Sequence, residues 1–341
     1  MKKPITSLIN TVTALCMMTV AAASHAAPEF KLRWGHYLPN SPFVQIEKDF
    51  AANVKERTGG RVEIEITFAG GLGKGGEIMK LAGRGAIDMA SVVPGYYADQ
   101  LLFWKAYQIP FIFNSPRQAM EISAESFRKL PVFAEELDKF GVKFLFHQPL
   151  GSYFMTGPDA NCDTIAGLKD KKIRSFGADI PKMFEAIGAV PVTVGFGDIY
   201  EAVQRGTLDY SYINLGNINA IKVYEPGKYS CGPVMSITGH MIVIGKRTWD
   251  RLPADIQKIL VEEGQKSGKA YIDAVDKIES DAGAAITAAG AVIKPMQDGE
   301  MAKWRAAAPD MLQNWVDDMT KRGEGERAKE VADFWRSKIG G

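Results

Sequence analysis

From Pro253 to Ala289 the chain repeats apolar residues at helical spacing, and no proline interrupts the run after Pro253. Ile256, Ile259, Leu260, Ala270, Tyr271, Ala274, Val275, Ile278, Ala282, Ala285 and Ile286 keep one stripe for about ten turns. A helix this long can lie across two lobes. A break near Gly264 or Gly268 would instead give two helices.

The rest of the chain alternates strands and helices. Leu32 to Gly35 reads as a first strand, and Val44 to Thr58 as a helix that stops at Gly59-Gly60. Arg61 to Phe68 alternates, with Val62, Ile64, Ile66 and Phe68 on one side and Glu63, Glu65 and Thr67 on the other, as in a strand with one wet face. Glu77 to Gly83 is a short helix, Met89 to Val93 a strand, Pro116 to Phe140 helical, and Val142 to His147 a strand crossing toward a second lobe. There, Ile173-Arg174 ends a strand, Pro181 to Ile187 is a helix, Val190 to Val194 a strand, and Ile199 to Arg205 a helix closed by Gly206. This order implies an α/β fold with a mainly parallel sheet in each lobe. No repeat, low-complexity tract or flexible linker interrupts it, so crossing strands are expected to join the lobes and to permit hinge bending.

Residues 1–26 read as a secretory signal peptide. Lys2 and Lys3 precede a mostly apolar run from Ile9 to Ala23, and Ser24-His25-Ala26 offers small residues for a cut before Ala27. Cys16 makes a poor lipoprotein site. An exported, periplasmic protein without a lipid anchor is expected. Losing the two lysines turns the formal charge of +1 into −1, which argues against nucleic acid or an anionic membrane held by bulk charge. Cys162 and Cys231 remain; in an oxidising compartment they suggest a disulfide, with two buried thiols as the alternative.

Chemistry-bearing motifs are sparse. His36, His147 and His240 lack metal-ligand spacing, and there is no GxSxG elbow. Gly71-Leu-Gly73-Lys-Gly-Gly76 matches GxGxxG, but the strand before it is half polar and no acid ends the next strand. It reads instead as a glycine-rich turn at a helix N-terminus near a cleft. No cofactor is expected. Arg174 stands out, because a strand end in an open α/β sheet is where ligands bind. Its planar fork fits a carboxylate; a surface salt bridge is the plainer alternative. Trp34, His36 and Tyr37 follow the first strand, Tyr96 follows Pro94-Gly95, and Phe176 and Phe196 flank the other side, as aromatic ligand walls do.

These pieces together resemble one family. Leu168-Lys-x-x-Lys-Ile-Arg174, then Gly188-Ala-x-Pro-Val192, then Tyr200-x-Ala-x-Gln-x-Gly-x-Leu-Asp209 are similar to the solute-binding subunit of TRAP (tripartite ATP-independent periplasmic) transporters, DctP-like. The likeness continues through Gly71-Leu-Gly73, Glu77, Gly85-Ala-Ile-Asp88-Met-Ala90, Ile109-Pro-Phe-Ile-Phe113 and Trp249-Asp-Arg-Leu-Pro253. It implies a two-lobed periplasmic binding protein fold, with a ligand cleft between the lobes and a long helix, about 253–289, spanning both. One lobe would comprise 27–148 plus about 240–270, the other 149–239 plus about 280–341. It implies a small organic acid as ligand, small and large integral membrane subunits as partners, and a monomer that is not an enzyme. Arg174 becomes the carboxylate clamp, Asn214 or Tyr212 a second contact, and Glu77 a residue at the cleft. Tyr153 stands where many members carry a second arginine, which favours a monocarboxylate captured by hinge closure. An exported hydrolase or lyase, or a ligand-sensing subunit of a receptor, is the alternative.

Overall fold

The computed structural model describes residues 27–234 and 239–339; the expected leader, 1–26, lies outside the described residues. Eleven strands follow in chain order: β1 Phe30–Gly35, β2 Val62–Thr67, β3 Met89–Val92, β4 Val142–Pro149, β5 Tyr153–Gly157, β6 Lys172–Ser175, β7 Val190–Thr193, β8 Ser211–Asn214, β9 Tyr229–Val234, β10 Gly239–Gly245 and β11 Val292–Pro295. They form two lobes. The first holds a sheet in the order β2-β1-β3-β10-β4. The second holds β11-β9-β5-β8 and the pair β6-β7, which Ile173 joins to Tyr210 through a bridge.

Burial explains why each segment became a strand. In β2, Val62 and Ile64 turn inward, while Glu63 and Glu65 turn out to meet Lys55 and Lys31 at 3.1 and 2.7 Å. β10, Gly-His-Met-Ile-Val-Ile-Gly, is buried along its whole length and sits between β3 and β4.

The sheets are mixed rather than mainly parallel. β1 runs parallel to β2 and β3, but β10 is antiparallel to β3 and β4, and β5 is antiparallel to β8 and β9. The cause is the crossing. β4 leaves the first lobe and β10 returns to it, so the two run in opposite directions side by side. A helix–strand alternation carries no mark of that return.

The long helix is continuous from Ala254 to Ala288, 35 residues without a break, or roughly 52 Å at 1.5 Å per residue. Gly264 does not interrupt it. A Cβ there would stand 2.9 Å from the Leu145 carbonyl oxygen, so the glycine lets the helix press directly on β4. Ile256, Leu260, Tyr271 and Val275 pack with Phe50, Leu145 and Phe146 of the first lobe. Ala282 and Ile286 join the other core, and Glu279 accepts hydrogen bonds from Asn214 and from the backbone N–H groups of Leu215 and Gly216 in the second lobe.

The last two helices correct the division expected for 280–341. Met311–Lys321 and Gly325–Ile339 pack on the first lobe: the Trp315 indole donates to the Leu102 carbonyl at 3.0 Å, Trp335 meets Phe113, and Lys338 pairs with Glu125. The helix Glu300–Ala307 stays with the second lobe, where Trp304 donates to the Met183 carbonyl at 2.8 Å, and so does β11, paired with β9. Such a helix presents an apolar face, but its sequence does not say which partner receives it.

Cys162 and Cys231 are bonded and fully buried, with Cα atoms 5.5 Å apart. The bond ties the turn before β6 to β9, within the second lobe. It closes a loop between residues 69 apart in sequence, which the chain-entropy picture rates at about 4 kcal/mol. Replacing both cysteines by alanine is therefore expected to lower the unfolding free energy by about that much. Urea denaturation of the double variant beside the wild type checks it, and equal midpoints would refute it.

Candidate functional site

A cleft of about 590 Å³ lies between the lobes. The first lobe contributes Tyr37, the Ala69–Gly70 turn, Lys74 to Glu77, Gly95 and Tyr96; the second contributes Phe176, Gly177 and Thr193 to Asp198. The glycine-rich run is thus a cleft wall. The lobes meet at its base, where Gly95 and Gly177 face each other. A Cβ on Gly95 would fall 2.5 Å from Gln108 Oε1 and 3.3 Å from the Phe176 ring, and Gly177 holds a φ of +69°. Space opposes a side chain at Gly95 and backbone conformation opposes one at Gly177.

Arg174 lies at the carboxyl end of β6, directly behind this wall, and is 1% exposed. Nε donates to the Val194 carbonyl at 3.1 Å, Nη1 to the Tyr212 carbonyl at 3.1 Å, and Nη2 to the Tyr96 hydroxyl at 3.2 Å. The Phe176 ring covers its face, 4.5 Å from the guanidinium carbon. A guanidinium has five N–H groups. These bonds leave one on each terminal nitrogen, an arrangement that can grip a carboxylate with both. Among the described residues no carboxylate pairs with Arg174. Its bond to Tyr96 crosses from the second lobe to the first.

The other expected contacts divide into wall and support. Tyr37, Tyr96 and Phe176 line the cleft, and Glu77 shares its exposed rim with Lys74 and Asp198. Tyr153 and Tyr212 stand one layer back: their rings meet at 4.8 Å, Tyr153 meets Phe176 at 6.4 Å, and the Tyr212 backbone holds Arg174. Asn214 turns away from the wall and donates to Glu279 at 2.7 Å. His36 is wholly buried and is no part of the wall. Its Nε2 faces the buried Glu47, and its ring stacks behind that of Tyr37, which takes the cleft side.

Sequence reasoning missed the residues that hold Tyr37 in place. Glu47, fully buried, accepts from His36 Nε2 at 2.5 Å, His240 Nε2 at 2.8 Å and the Tyr271 hydroxyl at 3.1 Å. The Leu38 N–H donates to His36 Nδ1 at 3.0 Å, which places the His36 proton on Nε2, toward Glu47. With its Nε2 proton on Glu47, His240 presents Nδ1 to the Tyr37 hydroxyl at 3.2 Å. His36 also stacks on the Tyr37 ring. The donor atoms of His36, Glu47 and His240 lie close enough to raise the question of a metal ion. The Leu38 N–H speaks against it: with Nδ1 accepting that bond, the His36 Nε2 that faces Glu47 carries a proton and has no lone pair for a metal. The only sequence signal was an acid inside a helix whose neighbours Val44, Phe50 and Val54 are apolar.

The chain resembles known proteins. The family described as bacterial extracellular solute-binding protein, family 7, matches residues 35–318. An uncharacterized protein y4mM of Sinorhizobium fredii is 31% identical over 207 residues, 59% of this chain; the chain spans 36% of that protein's length. A TRAP solute-binding protein from Rhodoferax ferrireducens, solved with copurified benzoate, superposes with a TM-score of 0.83 at 22% identity, over 91% of this chain and 97% of that one. DctP7 of Bordetella pertussis, an extracytoplasmic solute receptor binding pyroglutamic acid, gives 0.80 at 19%, over 90% and 99%.

Burial alone pushes the Glu47 carboxyl up, but the hydrogen bonds from His36 and His240, and the positive charge these rings take on when protonated in acid, outweigh it and bring it down to about 2. Its ordinary value is near 4.5. A carboxyl depressed by folding adds stability that is complete above the ordinary value and disappears as pH falls toward the depressed one. Stability is therefore expected to fall between about pH 4.5 and about pH 2 in the wild type. Glu47→Gln should be less stable at neutral pH by about 3–5 kcal/mol and should lose much of that acid dependence. Denaturant titrations followed by circular dichroism across this range test both; an unchanged acid profile in the variant would exclude the assignment.

Proposed function

We propose that this chain, which belongs to the bacterial extracellular solute-binding proteins of family 7, captures one small organic acid outside the cytoplasm by hinge closure and hands it to the membrane subunits of a TRAP transporter. The family is one of binding proteins, not of enzymes. The observation that carries the reading is the buried Arg174 guanidinium with no described carboxylate beside it. A permanent cation taken out of water is costly without an anion, and a carboxylate entering between the lobes supplies one. Tyr96 belongs to one lobe and Arg174 to the other, so an acid that touches both favours the closed state through contacts the open state lacks.

Two features favour a single carboxylate. Tyr153 contributes a ring and no charge to the shell around Arg174. At the far rim, Lys74 is outnumbered by Glu77 and Asp198, so a second anionic group gains little there. Benzoate and pyroglutamic acid, named with two structurally similar proteins, also carry one carboxylate each.

The bound acid is first identified by mass spectrometry of material released from the denatured, freshly purified protein. Calorimetric titration of that acid then compares wild type, Arg174→Lys and Arg174→Ala. Lysine keeps the charge but loses the fork, so binding weakens. Alanine leaves the ligand's carboxylate buried and unpaired, a loss of roughly 3–5 kcal/mol, or more than about a hundredfold in affinity. Near-wild-type affinity in Arg174→Ala would end the clamp assignment. A tighter fit for the matching dicarboxylate would keep the clamp and end the preference for one carboxylate.

A further inference from the structure

We infer that the body of the bound acid is a flat aromatic ring, packed by Tyr37 and Tyr96 from the first lobe and by Phe176 and Phe196 from the second. The inference rests on the carboxylate reading of Arg174 and specifies what the carboxylate is attached to.

Four rings line one cleft and form a chain of edge-to-face contacts: Phe176 to Tyr96 at 5.7 Å, Tyr96 to Tyr37 at 6.1 Å, and Tyr37 to Phe196 at 5.6 Å. Interplanar angles of 78°, 78° and 87° give successive rings different facings. The first and last contacts cross between lobes. A guest ring inserted here meets faces and edges from both sides at once, the geometry that aromatic groups favour over simple area burial.

The Tyr37 hydroxyl is held by His240, so what Tyr37 offers to the cleft is mostly ring. The Tyr96 hydroxyl accepts an N–H from Arg174 and keeps its own O–H, which lies beside the guanidinium where the carboxylate is read to sit. The body of the ligand therefore meets the two rings rather than their polar tips. The charged side chains of the lining, Lys74, Glu77 and Asp198, are exposed at the rim. Beside the four rings the lining holds the Thr193 hydroxyl and the backbone of Gly75, Gly76 and Gly195, so a hydroxylated body finds partners only along those edges, while any hydroxyl laid against a ring loses water without gaining one. Tyr37 is also fixed from behind by the Glu47 network, so this wall is set before a ligand arrives.

The test uses matched acids on the whole mature protein by calorimetry: benzoate against cyclohexanecarboxylate, phenylacetate against cyclohexylacetate, and glucuronate as a hydroxylated acid. Each aromatic member is expected to bind about tenfold tighter than its saturated partner, and glucuronate more weakly than either aromatic acid. Phe196→Leu, which keeps an apolar residue there, should shrink the aromatic-to-saturated ratio severalfold. Arg174→Lys should weaken both members of a pair alike. Equal binding of aromatic and saturated partners, or a preference for glucuronate, overturns the ring inference while leaving the carboxylate reading in place. If the wild type binds none of the five and Arg174→Ala leaves affinity for the released natural ligand unchanged, the clamp itself is refuted and the ring inference falls with it.

Discussion

The two lobes depend on one rod. The helix Ala254–Ala288 lies on β4 in the first lobe and reaches Asn214 to Gly216 in the second. Its grip on the second lobe combines the apolar contacts of Ala282 and Ile286 with one buried carboxylate. Glu279 takes three hydrogen bonds from the end of β8 and the start of the next helix, and Gly151, just before β5, is packed so closely that a Cβ there would lie 2.3 Å from the Glu279 carboxyl carbon. Burial pushes this carboxyl up to about 7, against the pull of the bonds from Asn214, Gly216 and Leu215. The crossing from β4 to β5 passes directly by this fixed point.

The same economy of contacts governs the cleft. One cation, one phenol and a set of rings do different work. Arg174 supplies charge but is immobilised by carbonyl oxygens of Val194 and Tyr212, which hold a guanidinium in place without neutralising it. Tyr96 reads across the gap. The rings exclude water, which strengthens every charged contact behind them. The His36–Glu47–His240 cluster touches no part of the cleft directly; it acts by fixing Tyr37.

Much of this was legible in the sequence, for reasons that differ by residue. The long helix announced itself because period and length survive in a one-dimensional pattern. The place of Arg174 at a strand end was legible because a strand followed by small and aromatic residues is itself a local signature. Tyr96 and Phe176 could be placed near the cleft by the same logic. Mixed strand direction was not legible, because it depends on which lobe a strand comes from. Nor was the home of the helices Met311–Lys321 and Gly325–Ile339, whose faces fit any complementary surface. His36 was placed on the wall because it follows β1, but the acid that draws it inward, Glu47, is eleven residues away, and the bend that stacks it behind Tyr37 leaves no mark in the sequence. Pairings such as Asn214 with Glu279, 65 residues apart, have no local trace at all.

The bare contact between Gly95 and Gly177 has a consequence for how such a chain diverges. A methyl at Gly95 would press on the Phe176 ring, which covers the Arg174 guanidinium, whereas one at Gly177 would meet only ordinary contacts and be opposed by its φ of +69°. The two glycines are therefore not interchangeable under mutation. Substitution at the first is felt by the lining of the cleft, and at the second by the backbone of its own turn.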